Sequence, residues 1–235
     1  MKEFAGNNVK AVKWFCGQTF FAGRQDWLSE TYRRAFFRAF DETFDNSVND
    51  ERIRASADGL LRLYRAEVRK LKKKSGEPYK VRPKDEVAIR SALEFAASIG
   101  WTYNFNPVHF LRDQIKQHRL KRFFEDAKIK EVGPKLRSMI ARDVTVWYDL
   151  DLTDDELKYV FPVDVWVRKL CALIWPQTRG MKDQRLTIFI IEKLKSLRLG
   201  PNAPLYFNAG LWAIGSYGRN AIELALARKD RTAMP

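Results

Sequence analysis

Two residues of this chain have types and positions that suit amine chemistry. Lys135 follows a valine-glycine-proline turn at 132–134 and lies at the predicted start of a helix, and Asp164 follows a proline-valine pair at the start of another. A lysine on an apolar helix face, near the positive end of the helix dipole, is expected to lose water and its proton more readily. A neutral amine is a nucleophile, and a nearby carboxylate can stabilise positive charge that develops during a reaction.

Each of these positions also has an ordinary structural explanation. Gly133 permits a left-handed backbone and leaves room for another backbone to approach, and the helix start after it offers free N–H groups, so a phosphate would fit there. A plain helix–helix turn would have the same residues. Asp164 has the position of an N-cap residue, which is a common role for aspartate. The residues alone leave these alternatives open.

The composition predicts a globular protein that binds a polyanion. Of the 235 residues, 46% are apolar, which suits one large domain or two small ones that share a core. Lysine and arginine exceed aspartate and glutamate by 43 to 29, and the net charge of +14 favours nucleic acid ahead of an acidic membrane. No apolar run could span a membrane and no signal-peptide pattern opens the chain, so we expect a soluble, intracellular protein.

Metal chemistry is not expected from this sequence. Cys16 and Cys171 are the only cysteines and lie far apart, which is too few for a disulfide framework, a zinc site or an iron–sulfur cluster of ordinary spacing. His109 and His118 are expected on the surfaces of helices. We therefore predict no metal and no cofactor.

The elements that must position Lys135 and Asp164 are predicted to be helices throughout, which makes the fold class all-α. Apolar residues recur three or four apart along most of the chain, and no stretch alternates as a strand does. Asn49, the pair Asn106-Pro107 and the Thr153 capping box predict helix starts. Helices are predicted over 84–99, from 107 through Phe124, from Pro134 or Lys135 onward, from Asp164 through Trp175, and over 181–198, 204–217 and 220–229, with an extended piece at 78–83.

Two segments resemble a known family. The run I-K-E-V-G-P-K-L-R-S-M-I from Ile129 and the later F-P-V-D-V-W-V-R-K-L from Phe161 are similar to the helix-hairpin-helix DNA glycosylases of the endonuclease III and 8-oxoguanine DNA glycosylase superfamily. In its bifunctional members the hairpin ends in a glycine, one residue and the catalytic lysine, and an aspartate follows a proline-valine turn. The resemblance implies that Lys135 is the nucleophile and Asp164 the catalytic aspartate.

The resemblance also implies an architecture. We expect two helical lobes with a cleft for DNA and the lesion between them. One lobe would comprise 23–149 and end in the helix-hairpin-helix motif, whose hairpin covers about 128–136. The other would be formed by both termini, 1–22 plus 150–235.

Further site residues follow from the resemblance. Val132, Gly133 and Arg137 are expected to contact DNA. A base pocket is expected from Gln18, Met139, Asn208 and Trp212, since F-C-G-Q-T at 15–19 and N-A-G-L-W at 208–212 are similar to segments of archaeal-type 8-oxoguanine glycosylases. The alternatives are a surface polar group for Gln18 and a core filler for Trp212.

The chain departs from the family pattern at several points. Glu131 replaces the first glycine of the hairpin and brings a negative charge near the expected phosphate. The separation between Lys135 and Asp164 is longer than usual, with 149–158 as the apparent insertion, and Asn208 stands where an acid is typical. The absence of iron–sulfur cysteines resembles the 8-oxoguanine branches.

On this resemblance the chain is expected to be a bifunctional DNA glycosylase and AP lyase in base-excision repair. It would act on damaged double-stranded DNA as a monomer, with 8-oxoguanine as the favoured lesion. The main alternative is a non-enzymatic helical protein that binds DNA or RNA and uses the hairpin only to contact phosphates. A scaffold whose charge is incidental is the third possibility.

Overall fold

A computed structural model describes residues 4, 6–21, 26–45, 47–127 and 129–218. In these residues the fold is all-α, as predicted, and the one β feature is an isolated bridge between Lys72 and Pro78. No helix in the described ranges is long and apolar enough to cross a membrane. The helix predicted over 220–229 lies outside the described residues.

The described part of the chain contains eleven α-helices and three short 3-10 turns. The turns are Thr19–Phe21, Trp101–Tyr103 and Pro176–Thr178. The helices are α1 (Asn8–Gln18), α2 (Asp26–Thr43), α3 (Asp50–Lys70), α4 (Pro83–Ser98), α5 (Pro107–Lys116), α6 (Leu120–Asp126), α7 (Pro134–Tyr148), α8 (Asp154–Leu157), α9 (Val165–Ile174), α10 (Asp183–Ser196) and α11 (Ala203–Tyr217).

Several helices begin where the sequence predicts a cap. The side chain of Asn49 accepts a hydrogen bond from a first-turn N–H of α3, and that of Asn106 accepts two from α5. At the start of α8, Glu156 Oε2 accepts hydrogen bonds from the backbone N–H and the hydroxyl of Thr153. Because these contacts satisfy polar groups that a helix start leaves free, they fix the boundaries of the helices.

One predicted helix is divided in two. The apolar pattern from residue 107 through Phe124 predicts a single helix, but α5 ends at Lys116 and α6 begins at Leu120. His118, between them, has a left-handed backbone with φ 52°. Glu156 of α8 contacts both His118 Nδ1, at 3.0 Å, and the backbone N–H of Leu120, at 3.5 Å. The break therefore comes with a tertiary contact, and no local glycine or proline marks it.

The core is rich in aromatic side chains. Phe20, Phe36, Phe40, Phe44 and Tyr64 are fully buried. α2 packs against α3, while α1 packs against α2, α4 and α5. α7 packs against α1, α5 and α11, and α11 also packs against α9 and α10. The two helices that begin beside Lys135 and Asp164 therefore share α11 as a neighbour.

Candidate active site

The turn between α6 and α7 is anchored by its apolar residues. Ile129 and Val132 are buried in the core, and the backbone N–H of Lys130 donates to Ser91 Oγ at 2.9 Å. Residues 133–135 are exposed. The turn is thus held from the inside while its glycine and the first turn of α7 face outward.

Among the described residues of this turn, Glu131 is the one with a left-handed backbone. Its φ is 61°, whereas Gly133 has φ −70° and ψ 173°, which is extended backbone. The expectation that Gly133 supplies a left-handed conformation is therefore wrong. A Cβ added at Gly133 would meet no atom within 4 Å, so space for an approaching molecule is present as expected. The left-handed backbone at Glu131 costs about 1 kcal/mol that glycine would avoid.

The start of α7 offers backbone hydrogen-bond donors. Within the described residues no side chain caps this helix, whose N-cap is Gly133. Pro134 lacks an N–H, and the N–H of Arg137 is bonded to the Gly133 carbonyl at 3.2 Å. Among the described residues, the N–H groups of Lys135 and Leu136 have no hydrogen-bond acceptor in this first turn. They lie at the positive end of the helix dipole, which suits an anion.

Asp164 uses its two carboxylate oxygens for different contacts. Oδ1 accepts hydrogen bonds from the backbone N–H groups of Trp166, at 2.9 Å, and Val167, at 2.8 Å, and so caps α9 as the sequence predicts. Oδ2 lies 3.9 Å from Nζ of Lys135. The structural and the chemical explanations of this aspartate are therefore compatible.

The contact between Lys135 and Asp164 is electrostatic. A distance of 3.9 Å is longer than a hydrogen bond, so the ammonium and the carboxylate attract each other without sharing a proton. The Lys135 side chain is 53% exposed and that of Asp164 is 7% exposed. About half of the Lys135 side chain is therefore shielded from water in this structure, while Asp164 is almost fully shielded.

Lys135 lines an open cleft of about 340 Å³. The lining comes from α7, from the segment before Asp164 and from the start of α10. Besides Lys135, the side chains that could contact a ligand include Ser138, Lys158, Tyr159, Gln184 and Thr187. The candidate nucleophile therefore has polar and aromatic neighbours.

The acidic segment 149–158 contributes its last residue, Lys158, to the lining of this cleft. Leu150 and Leu157 are buried, and Glu156 is only 5% exposed and contacts His118. Because the segment is packed into the core, Lys158 at its end reaches the cleft together with the adjacent tyrosine. The sequence marks this segment only as an insertion; a basic–aromatic pair after the acidic run is the signal that could have indicated the cleft.

The four residues expected in a base pocket do not line this cleft in the described part of the structure. Gln18 is buried, with 4% exposed, so the surface alternative for this residue is wrong. Met139 is 8% exposed and Trp212 is half-buried. Asn208 is fully buried, which is at odds with a place in an open pocket, because both ends of its amide are bonded within the protein.

Arg137 is directed into the protein. Its Nη1 donates to the carbonyl of Phe124 at 2.5 Å, and its guanidinium lies 5.8 Å from the centre of the Phe124 ring. Burial lowers the pKa of Arg137. The geometry assigns this side chain to holding α6 against α7, which is at odds with the expected contact to DNA.

The thiols are not placed for chemistry. Cys16 and Cys171 are both fully buried, and burial raises the pKa of Cys171 to about 12 and that of Cys16 further. Thiolates are the reactive form of cysteine, so neither side chain is a nucleophile at neutral pH. In the part of the chain that the structure describes, no group of three or more histidine, cysteine or acidic side chains could hold a metal ion.

Comparison of the chain with models of protein families, with curated proteins and with solved structures finds no significant match.

Proposed function

We propose that the chain is a bifunctional DNA glycosylase and AP lyase that removes an oxidised base, with 8-oxoguanine as the favoured lesion. The observation that carries the proposal is the 3.9 Å approach of Asp164 Oδ2 to Lys135 Nζ at two neighbouring helix starts. An amine beside a shielded carboxylate suits Schiff-base chemistry on a sugar. These are also the two residues on which the resemblance to the helix-hairpin-helix glycosylases depends.

The proposal includes a helix-hairpin-helix motif formed by α6, the turn at about 128–136 and α7. Free N–H groups at the start of α7, the open space at Gly133 and the net charge of +14 support a phosphate contact at this turn. We further propose two helical lobes with a cleft between them. Packing of α1 against α2, α4 and α5 favours including α1 in the lobe that contains 23–149.

The first chemical step would be base release. The damaged nucleotide is flipped out of the duplex because C1′ of its sugar is not reachable in the base stack. The neutral amine of Lys135 attacks C1′, and the electrons of the C1′–N bond leave with the base, which takes up a proton. The C1′–O4′ bond then breaks as O4′ takes up a proton from the nitrogen, which opens the sugar ring and leaves a protonated imine between Lys135 and C1′. Asp164 Oδ2 would stabilise the positive charge that develops on the sugar.

The second step would be strand cleavage. The imine makes the proton on C2′ acidic, and its loss expels the oxygen of the 3′ phosphate in a β-elimination that nicks the strand 3′ to the lesion. Water then hydrolyses the imine and returns the free amine. In the free protein Lys135 is half-exposed, so a bound nucleotide would be needed to exclude water from the amine.

Borohydride trapping tests this proposal. Duplexes that carry 8-oxoguanine, an oxidised pyrimidine or no lesion would be incubated with the protein and borohydride, which reduces the imine to a stable cross-link. We expect a cross-link to the 8-oxoguanine duplex for the wild type and none for Lys135→Ala. Lys193→Ala removes an exposed lysine of α10 and is the matched control, which should trap as the wild type does.

The non-enzymatic alternative is favoured by one observation, the solvent exposure of Lys135 in the free protein. It would make Lys135 one phosphate contact among many. It predicts binding to duplexes that weakens with salt, shows no preference for damage and gives no cross-link. A protein that binds no oligonucleotide at moderate salt would contradict both functions.

A further inference from the structure

A buried chain of hydrogen bonds joins α7, α11 and the turn before α9. Arg142 Nη1 donates to Asn208 Oδ1 at 2.9 Å, and Asn208 Nδ2 donates to the carbonyl of Pro162 at 2.9 Å. Arg142 is 6% exposed and Asn208 is fully buried. Because a guanidinium only donates and a carbonyl only accepts, one orientation of the Asn208 amide satisfies both bonds.

Both ends of this chain lead back to the candidate catalytic pair. Arg142 lies seven residues after Lys135, about two turns along the same helix. Pro162 lies two residues before Asp164, and its ring restricts the backbone that leads into the cap of α9. The helix of the lysine is thus bonded, through one side chain of α11, to the turn that carries the aspartate.

A second contact between α11 and α9 supports the same turn. A Cβ added at Gly215 would lie 2.4 Å from side-chain atoms of Trp166, so only glycine lets the tryptophan ring approach α11 this closely. Trp166 also donates its backbone N–H to Asp164 Oδ1. α11 therefore contacts Pro162, two residues before Asp164, and Trp166, two residues after it.

We propose that Asn208 and Arg142 are positioning residues that hold the Pro162 turn so that Asp164 Oδ2 faces Lys135. The catalytic meaning of this proposal rests on the proposed function. A buried guanidinium and amide are expensive to desolvate unless they are bonded, and an apolar pair would pack α7 against α11 without that expense. An apolar pair could not bind the Pro162 carbonyl, whereas Asn208 does so at 2.9 Å while Arg142 holds the other end of its amide.

Variants of Asn208 separate positioning from folding. Asn208→Leu removes both bonds at similar volume, and Asn208→Asp keeps an acceptor for Arg142 but loses the donor to Pro162. For both variants we expect the single-turnover trapping rate to fall by about tenfold to a hundredfold, with duplex affinity within about threefold of the wild type. Leu211→Ala is the matched control, because it truncates a buried side chain of α11 outside the hydrogen-bond chain.

A protein that carries both Asn208→Leu and Asp164→Asn distinguishes positioning of Asp164 from a purely structural role of Asn208. If Asn208 acts through Asp164, then Asn208→Leu should cause no further loss of rate in an Asp164→Asn protein, although it slows the wild type. Additive losses, or an equal loss of rate in Leu211→Ala at the same melting temperature, would overturn the proposal. An Asn208→Asp protein that traps as fast as the wild type would overturn the role of the Pro162 bond.

A measurement on the free protein tests the positioning even if no cross-link forms on any duplex. Lysines would be reductively methylated with ¹³C, and the Lys135 signal would be assigned by its absence in Lys135→Arg. At a fixed pH, Asn208→Leu should move this signal toward its position in Asp164→Asn, whereas Leu211→Ala should leave it in place. A Lys135 signal that is unchanged in Asn208→Leu would overturn the proposal independently of the enzymatic function.

Discussion

Asp164 caps α9 with one carboxylate oxygen and faces Lys135 with the other. Oδ1 accepts two backbone N–H groups at 2.8 and 2.9 Å, while Oδ2 lies 3.9 Å from the lysine nitrogen. The cap fixes the orientation of the carboxylate relative to α9, so its other oxygen has a defined direction on that helix even though its partner is a half-exposed side chain. Stability and chemistry can therefore be separated at this residue.

Asp164→Asn should keep the cap and remove the charge. Asparagine caps helices about as well as aspartate, so the free energy of unfolding should change little, while base release should fall by about 100-fold or more. Asp164→Ala should lose the same activity and also about 1 kcal/mol of stability. Urea unfolding and single-turnover base release would measure the two effects. An Asp164→Asn protein with wild-type turnover would reduce this residue to a cap.

Glu131→Gly should tighten binding to duplex DNA with little effect on stability. The glycine removes the strain of the left-handed backbone at φ 61°, which stabilises the folded state. It also gives the unfolded chain more conformational entropy, which lowers the free energy of unfolding by a similar amount. Removal of a negative charge beside the start of α7 should improve affinity by about two- to fivefold at low salt. Glu131→Gln is the control that removes only the charge. If neither variant binds more tightly in fluorescence anisotropy, the turn does not contact phosphates.

Arg137 and Lys130 should differ in what they contribute. Lys130 is exposed on the turn, so we expect it to contact one phosphate. Lys130→Gln should therefore reduce the slope of log Kd against log salt by about 1. Arg137 is half-buried and bonded to Phe124, so Arg137→Gln should lower the melting temperature and leave that slope unchanged. A lower salt slope in Arg137→Gln would restore the expectation that this residue contacts DNA.

Glu67 should make the stability depend on pH. Hydrogen bonds from Lys70, and to a smaller extent from Arg38, hold the pKa of the Glu67 carboxyl below its usual value. The Glu67 side chain is 12% exposed. A carboxyl whose pKa is lower in the folded than in the unfolded state stabilises the fold, and this effect is complete above the pKa of the unfolded state, near 4.5. The stabilisation is lost as the pH falls through the pKa of the folded state. Glu67→Gln should thus cost about 1 to 2 kcal/mol at pH 7 and less at pH 3 to 4.

Glu77 provides the control for this effect. It pairs with Lys73 at 3.0 Å, but its side chain is 68% exposed. Water and salt screen such a pair, so Glu77→Gln should change the unfolding free energy by no more than about 0.5 kcal/mol at either pH. Equal losses in urea unfolding for the two variants would contradict the stabilising effect of the buried Glu67 carboxylate.

Local signals predicted much of the fold. The helix starts at Asn49, Asn106, Thr153 and Asp164 were predictable because each has a side chain that satisfies backbone groups within its own turn. The break at His118 was not, because Glu156 makes the accompanying contact from a distant part of the chain. Tertiary contacts of this kind leave no local pattern in the sequence.

The candidate site also has features that local sequence predicts and features that depend on tertiary packing. Lys135 and Asp164 were predictable from the residues around each of them, but their separation in space depends on how α7 and α9 pack against α11. Asn208 resembles a base contact in its local motif, yet its burial and its bonds to Arg142 and Pro162 assign it a different role. Whether a polar residue faces a cavity or the core is decided by the packing of several helices.

Mapping of the borohydride cross-link tests the central claim most directly. The wild-type protein would be trapped on an 8-oxoguanine duplex, digested and analysed by tandem mass spectrometry to identify the modified amine. We predict a reduced sugar adduct on Lys135, and its loss in Lys135→Ala. No adduct on any damaged duplex, or an adduct that maps to another amine and persists in Lys135→Ala, would contradict the assignment of Lys135 as the nucleophile.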